Sequence, residues 1–181
     1  MDRFTDLLLP YLPGCPTAII KTEVLQSAIR FCEDTWIWQQ DAEKTIAGGE
    51  DEISFTLPAG SKMIGVQILI NGSIVNSYTK GESKITLDDA VASSKTFQTT
   101  VYLAPTRAAS DLPDLLYDTW FEAVAAGAKV PLMMMPGHPW HNQRGAMVEQ
   151  TKYLHEMGRA RQQARKTNDQ TELSVLPRPF I

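Results

Sequence analysis

The sequence has few residues that bind metals or form disulfides: two cysteines and three histidines among 181 residues. Cys15 and Cys32 form no CxxC pair, and in a reducing cytoplasm we expect them to stay unlinked. His138 and His141 are three residues apart in the stretch VPLMMMPGHPWHNQ. Structural zinc takes four protein ligands and catalytic zinc usually three, and His155 is the only other histidine. We therefore expect a turn between two helices here, with no metal and no cofactor. The residues expected to pack this turn are Trp120, Met135, Pro136 and Trp140.

Long apolar runs are absent as well. No stretch approaches the roughly 18 uncharged apolar residues of a membrane-spanning helix. The apolar run at residues 7–9 is too short, and the surrounding prolines are too frequent, for a signal peptide. We expect a soluble cytoplasmic product without membrane association.

The sequence also lacks the excess of positive charge that is typical of proteins that bind duplex DNA. The net charge is −4, from 17 Lys and Arg against 21 Asp and Glu. Acidic residues are concentrated in residues 1–60, whereas residues 121–181 are basic on balance. This asymmetry predicts that the acidic first helix of one subunit faces the basic last helix of its neighbour.

Motifs that carry catalysis are missing too. The adjacent carboxylates Glu33 and Asp34, like Asp88 and Asp89, point in different directions on a helix or a strand, whereas a glycosidase needs two that converge. The single Gly-Gly pair has no P-loop lysine, and no GxSxG sequence occurs. We expect a protein that is not an enzyme.

Apolar spacing divides the chain into helical and extended parts. Three- and four-residue spacing predicts a helix over residues 23–40, capped by Thr22, with an apolar face of Val24, Leu25, Ala28, Ile29, Cys32 and Trp36. Residues 51–104 change to a period of two. They predict about five short antiparallel strands, with a tight hairpin at Asn71-Gly72 and a last strand whose inner face is Phe97, Thr99, Val101 and Leu103.

The helical period returns after residue 105. Asp111 and Pro113 are placed to begin a helix that runs to about Ala128. After the histidine-containing turn, Asn142 opens a last helix to residue 167, with Val148, Tyr153 or Leu154, Met157 and Ala164 on its buried face.

These elements predict an α+β protein: a bundle of three or more helices, a small antiparallel β-module inserted in it, and an extended C-terminal arm. The expected segments are residues 1–50 for the N-terminal arm and first bundle helix and 51–104 for the β-module. Residues 105–168 form the remaining bundle helices, and 169–181 form the arm.

Two groups of residues are candidates for contacts with other molecules. The first is the basic end of the last helix, which is either a solvated helix end or a contact for acidic protein or nucleic acid: Arg159, Arg161, Arg165 and Lys166. The second is the proline-broken arm, which is too short to form its own core: Leu173, Val175, Leu176, Pro177, Arg178, Pro179, Phe180 and Ile181. One such arm binds weakly because ordering it offsets the gain from burial, so many copies acting together are favoured. A disordered end, or a strap across its own domain, is the alternative.

The region from Leu112 to Arg165 resembles the portal-tail adaptor proteins, or head-to-tail connectors, of tailed bacteriophages. In that family a helix with the pattern LPxxLxxxWxxAxxxGA is followed by an MPGxPW turn and a long helix rich in Ala and Arg. The matching positions are Leu112, Pro113, Leu116, Trp120, Ala123, Gly127, Ala128, Met135, Pro136, Gly137, Pro139 and Trp140. The order of helix, β-insertion, helices and tail is similar as well.

The resemblance implies a structural virion protein made in the host cytoplasm and placed in the neck between capsid and tail. It implies a homo-oligomeric ring, commonly of twelve subunits, whose C-terminal arms insert into the portal protein. The other side of the ring would receive the tail tube or nozzle protein, and DNA would pass through without being read. A virion-associated cell-wall hydrolase and a small oligomeric helical binding module are the alternative functions.

Overall fold

The computed structural model describes residues 1–71 and 73–168. This part of the chain contains five α-helices and two antiparallel sheets, so the predicted α+β class is confirmed. The helices are α1 (Asp2–Leu8), α2 (Thr17–Thr35), α3 (Asp114–Asp118), α4 (Phe121–Met133) and α5 (Gln143–Asn168). The strands are β1 (Gln39–Ile46), β2 (Glu52–Ser54), β3 (Ser61–Ile70), β4 (Ser73–Ile74), β5 (Tyr78–Lys80), β6 (Lys84–Leu87) and β7 (Lys95–Pro105).

Helix α2 differs from the prediction at both ends. It begins at Thr17, directly after Pro16, and ends at Thr35, so the predicted range 23–40 is wrong. Thr22 lies inside the helix, where its hydroxyl donates to the carbonyl oxygen of Ala18 at 2.9 Å instead of capping the first turn. Trp36 adopts a left-handed conformation that stops the helix.

Two short helical elements precede α2 in the segment that the sequence predicts as an N-terminal arm. Helix α1 buries Phe4 and Leu8, and a single 3₁₀ turn follows at Leu9–Tyr11. The Phe4 ring stacks on Phe121 of α4 with the ring centroids 4.5 Å apart. The N-terminal segment therefore belongs to the helical core.

The helix predicted to run from Asp111 to Ala128 is two helices. Residues 119 and 120 are not helical, and Trp120 has φ −114° and ψ 21°. This break places the Trp120 ring 5.5 Å from the Phe31 ring in the core. Asp111 does not cap α3, whose N-terminus has no side-chain hydrogen bond. Its carboxylate instead accepts hydrogen bonds from the Leu112 amide, the Tyr117 hydroxyl and the Met1 amino group.

Helix α5 begins as predicted, because the side-chain oxygen of Asn142 accepts a hydrogen bond from the Gly145 amide at 2.9 Å. Its buried face includes Met157 and Ala164, as expected. Val148 was expected on the same face, and this is wrong, because Val148 is exposed. Of the two alternatives Tyr153 and Leu154, Tyr153 packs against the core and Leu154 is exposed. Helix α4 packs between α2 and α5, and apolar side chains of all three form one core.

The described residues contain seven strands, and six of them lie in the predicted β-module, where about five were expected. The four-stranded sheet has the order β1-β7-β3-β4, and the three-stranded sheet has the order β2-β6-β5. The predicted hairpin joins β3 to β4, with Ile70 opposite Ser73 and Asn71 at φ 48°. β1 begins at residue 39, before the predicted β-module, and pairs along its whole length with β7.

A second core lies between the two sheets. β7 contributes its predicted inner face, Phe97, Thr99, Val101 and Leu103, all of which are buried. Its opposite face is also buried near the C-terminal end, where Ala104 joins the helical core. β7 thus contacts both cores. Every helix in the described ranges is too short or too polar to cross a lipid bilayer.

Candidate interaction surfaces

The turn between α4 and α5 is fixed by backbone hydrogen bonds. The Asn142 amide donates to the Met133 carbonyl at 2.9 Å, and the His141 amide donates to the His138 carbonyl at 3.0 Å. Gly137 has φ +80°, which residues with a side chain adopt only with strain. The chain therefore reverses direction within nine residues.

The predicted packing residues of this segment divide into buried and exposed. Trp120 and Trp140 are buried, Met135 is half-buried, and Pro136 is exposed. The exposed His138 ring stacks on Trp140, with the ring centroids 4.3 Å apart. In the part of the chain that the structure describes, no three His, Cys, Asp or Glu side chains converge to hold a metal ion.

Helices α2, α4 and α5 meet at Gly127. The Ser27 hydroxyl on α2 donates to the Val124 carbonyl at 2.8 Å. A Cβ atom at Gly127 would lie 2.3 Å from the Ser27 hydroxyl oxygen and 2.8 Å from the Tyr153 ring. Burial raises the pKa of Tyr153 to about 12. This contact, which we call the α2–α4–α5 seam, has no room for a methyl group, so the three helices pack closely against one another there.

An ion pair joins α4 to α5 inside this region. Lys129 is only 6% exposed, and its ammonium lies 3.1 Å from the carboxylate of Glu149. The ammonium also lies 4.2 Å from the ring centroid of Tyr11. The pair was not predicted from the sequence, although a single lysine in the apolar run AVAAGAKVPLM is an identifiable signal. This ion pair restrains the way α4 packs against α5.

The outer face of α5 carries exposed apolar side chains, which we call the α5 apolar surface: Met147, Val148 and Leu154, at 64%, 65% and 57% exposure. Thr151 and Gly158 continue the row of Met147 and Leu154 at helical spacing, and both are exposed. A Cβ atom at Gly158 would meet nothing within 4 Å. The row therefore leaves room for a second helix to approach closely.

The four predicted basic residues have different environments. Arg159 donates to both carboxylate oxygens of Glu156 at 3.0 and 2.8 Å. Arg161 donates to the Asp34 carbonyl at 2.9 Å, so it contacts the acidic end of α2 within its own subunit. Arg165 and Lys166 are exposed on the last turns of α5.

A cleft of about 370 Å³, which we call the Trp36 cleft, lies where α2, β7 and α5 meet. Its lining is Asp34, Thr35, Trp36, Tyr102, Arg161, Ala164 and Arg165. The sequence did not indicate this cleft, because helical spacing placed Trp36 on the buried face of α2. Nothing in local periodicity identifies a left-handed residue that turns its ring outward.

The predicted arm residues, Leu173, Val175, Leu176, Pro177, Arg178, Pro179, Phe180 and Ile181, lie outside the described residues. No protein-family model matches this chain, and no curated protein matches it.

Proposed function

We propose that this protein is a structural subunit of a ring-shaped adaptor between the portal protein and the tail of a tailed bacteriophage. In this proposal the subunit is part of the virion neck, and DNA passes through the ring without being recognised by sequence. Its partners are the portal protein, the tail tube or nozzle protein, and identical subunits in a ring that commonly has twelve subunits.

The arrangement of the adaptor-like sequence block supports this proposal. Its apolar positions are buried in the helical core: Leu112, Leu116, Trp120, Ala123 and Trp140. Its Met-Pro-Gly segment is the tight turn that joins α4 to α5. The block thus supplies buried core residues and the turn between α4 and α5. We expect a motif shared by structural subunits to have such a role, because these residues determine how the helices pack.

The observation that carries the proposal is the α5 apolar surface. Burying a large apolar side chain contributes about 1.5–3 kcal/mol, so three such residues give one modest contact. A contact of this size is weak between two molecules that meet in solution. It becomes effective when the same contact is repeated between all neighbouring subunits of a closed ring.

In the finer architecture that we propose, the helices form a bundle and the β-module is inserted between α2 and α3. The bundle lies against neighbouring subunits, the arm reaches the portal, and the β-module faces the tail. The net charge of −4 suits this role, because a strongly basic ring would retain the DNA phosphates that must slide through.

Electron microscopy of the purified portal protein of the same phage, mixed with this chain, tests the proposal. We expect a closed ring of added density at one end of the portal, with the symmetry of repeated copies. Portal particles without added density at saturating subunit concentration would contradict it. Release of sugars from purified cell walls by the chain would favour the hydrolase alternative instead.

A further inference from the structure

Trp36 has an unusual backbone conformation for a large side chain. Its φ is 57° and its ψ is 30°, in the left-handed region where glycine or asparagine usually ends a helix. A bulky residue in this region is strained. The indole is nevertheless 48% exposed, so burial in the core does not offset this strain fully.

The surrounding residues hold the indole in place. Its ring lies 4.7 Å from the Tyr102 ring, centroid to centroid. The Tyr102 hydroxyl donates to the side-chain oxygen of Gln67 at 2.9 Å, which fixes the tyrosine. Gly65, next to an irregularity in the pairing of β3 with β7, leaves the space: a Cβ atom there would lie 3.2 Å from the Tyr102 ring. Trp36 is therefore a rigid, half-exposed aromatic group.

Two arginines lie beside Trp36 in the lining of the Trp36 cleft. Arg161 is oriented by its hydrogen bond to the Asp34 carbonyl, and Arg165 lies one turn further along α5. Tryptophan, tyrosine and arginine are the residues that contribute most to binding at protein interfaces. A segment that binds in this cleft is expected to carry carboxylates, which would pair with the arginines, next to apolar side chains, which would cover the indole.

We propose that residues 169–176 of the same chain occupy the Trp36 cleft. This segment follows α5 directly and has the required chemistry: Asp169 and Glu172 can meet the two arginines, and Leu173 and Val175 can cover the indole. Arg165 is three residues before the end of α5. An extended chain spans about 3.3–3.6 Å per residue, so eight residues are long enough to turn back along the last turns of the helix.

This docking has a consequence that rests on the proposed function. The apolar arm residues would stay on their own subunit until a portal protein offers a better site, so free subunits would not attach to one another through their arms. The docking itself depends only on the cleft and on the sequence that follows α5. It can therefore be tested without any portal protein.

Paramagnetic relaxation in the full-length chain tests the docking. A nitroxide is attached to a Ser174→Cys variant, and the native cysteines, Cys15 and Cys32, are buried. The readout is the indole N–H signal of Trp36 in a nitrogen-15 spectrum, assigned by its loss in Trp36→Phe. We expect this signal to be broadened by the nitroxide and restored when the nitroxide is reduced.

Charge variants identify the contact. Reversing both arginines of the cleft, Arg161→Glu with Arg165→Glu, is expected to reduce the broadening of the Trp36 signal, because it removes the charge attraction. Arg107→Glu is the matched control at an exposed site and should leave the broadening unchanged. Asp169→Arg with Glu172→Arg provides the same test without changing any residue of the cleft.

Three outcomes would overturn the proposal. The first is a Trp36 signal that the nitroxide does not broaden. The second is broadening that both pairs of charge reversals leave unchanged. The third is equal broadening in nitrogen-15-labelled molecules that carry no nitroxide, when they are mixed with spin-labelled molecules, because the occupant would then be the segment of a second copy.

Discussion

Gly127 is the residue whose side chain is most strictly limited by its neighbours. Gly127→Ala would place a methyl group against the Ser27 hydroxyl and the Tyr153 ring, at distances that require one of them to move. Overpacking of this kind costs about 1–3 kcal/mol, which exceeds the gain of about 1 kcal/mol from replacing glycine in a helix. We expect a lower free energy of unfolding in urea denaturation.

Gly158→Ala is the matched control for this prediction. Gly158 is also inside a helix, but a Cβ atom there meets nothing within 4 Å. We expect this variant to be more stable than the wild type by up to about 1 kcal/mol, because alanine favours the helix. Equal stability of the two alanine variants would show that the α2–α4–α5 seam is not closely packed.

Asp111 links stability to pH. Hydrogen bonds from the Met1 amino group, the Tyr117 hydroxyl and the Leu112 amide lower the pKa of Asp111 from 3.8 to about 2. A carboxylate whose pKa is lowered in the folded state stabilises the protein above its unfolded-state pKa, and this contribution is lost as the pH falls through the folded-state pKa. Asp111 therefore contributes fully at neutral pH and progressively less from about pH 4 to pH 2.

The corresponding variant is Asp111→Asn. The Asp111 side chain is largely exposed, so we expect a loss of below about 1 kcal/mol at neutral pH. Urea denaturation at several pH values should show the difference from the wild type shrinking as the pH is lowered. A difference that grows on acidification would contradict the assignment of Asp111 as the group responsible.

At the scale of elements, the buried ion pair determines how α4 meets α5. Lys129→Met would leave the carboxylate of Glu149 buried without its partner, which typically costs about 3–5 kcal/mol. Replacing both residues, Lys129→Met with Glu149→Leu, removes the unpaired charge and should recover most of the loss. Thermal unfolding of the two single variants and the double variant measures the coupling.

A second ion pair between the same helices is the control. Lys152 and Glu122 are both exposed and lie 3.3 Å apart. Exposed pairs contribute about 0–1 kcal/mol, so Lys152→Met should change stability little. A loss as large as that of Lys129→Met would mean that burial does not distinguish the two pairs.

The elements that the sequence predicted well are those whose backbone conformation is determined by nearby residues in the sequence. Asn71 accommodates the positive φ in the β3–β4 turn, and Asn142 supplies the side-chain oxygen that caps α5. The alternating inner face of β7 faces the second sheet, so period two and burial agree there. In each case the residue type and the backbone conformation depend on neighbours in the sequence.

Elements that depend on distant contacts were missed or misplaced. β1 has the sequence QQDAEKTI, with few apolar residues, and pairs with β7, which lies some 50 residues away in the chain. Trp36 follows Cys32 at helical spacing, so periodicity extended α2 past its true end. Val148 and Leu154 are apolar but exposed, and only the packed helices show which side of α5 faces outward.

At the scale of the whole molecule, β7 connects the two cores. Val101 and Leu103 pack between the sheets, while Ala104 packs with the helices. The β region and the helical region are therefore joined through one strand rather than by a linker alone. For the proposed adaptor, this connection would carry a contact on the β side to the helices that bind neighbouring subunits.

The proposed adaptor function requires the α5 apolar surface to bind other proteins of the assembly. The most direct measurement counts ring-capped portal particles in electron micrographs for Met147→Glu with Leu154→Glu. The control is Ile74→Glu, which changes an exposed apolar residue on β4. We expect the α5 variant to fold, as judged by circular dichroism, but to form no rings, while the control forms them normally. Undiminished rings with the folded α5 variant would contradict the account.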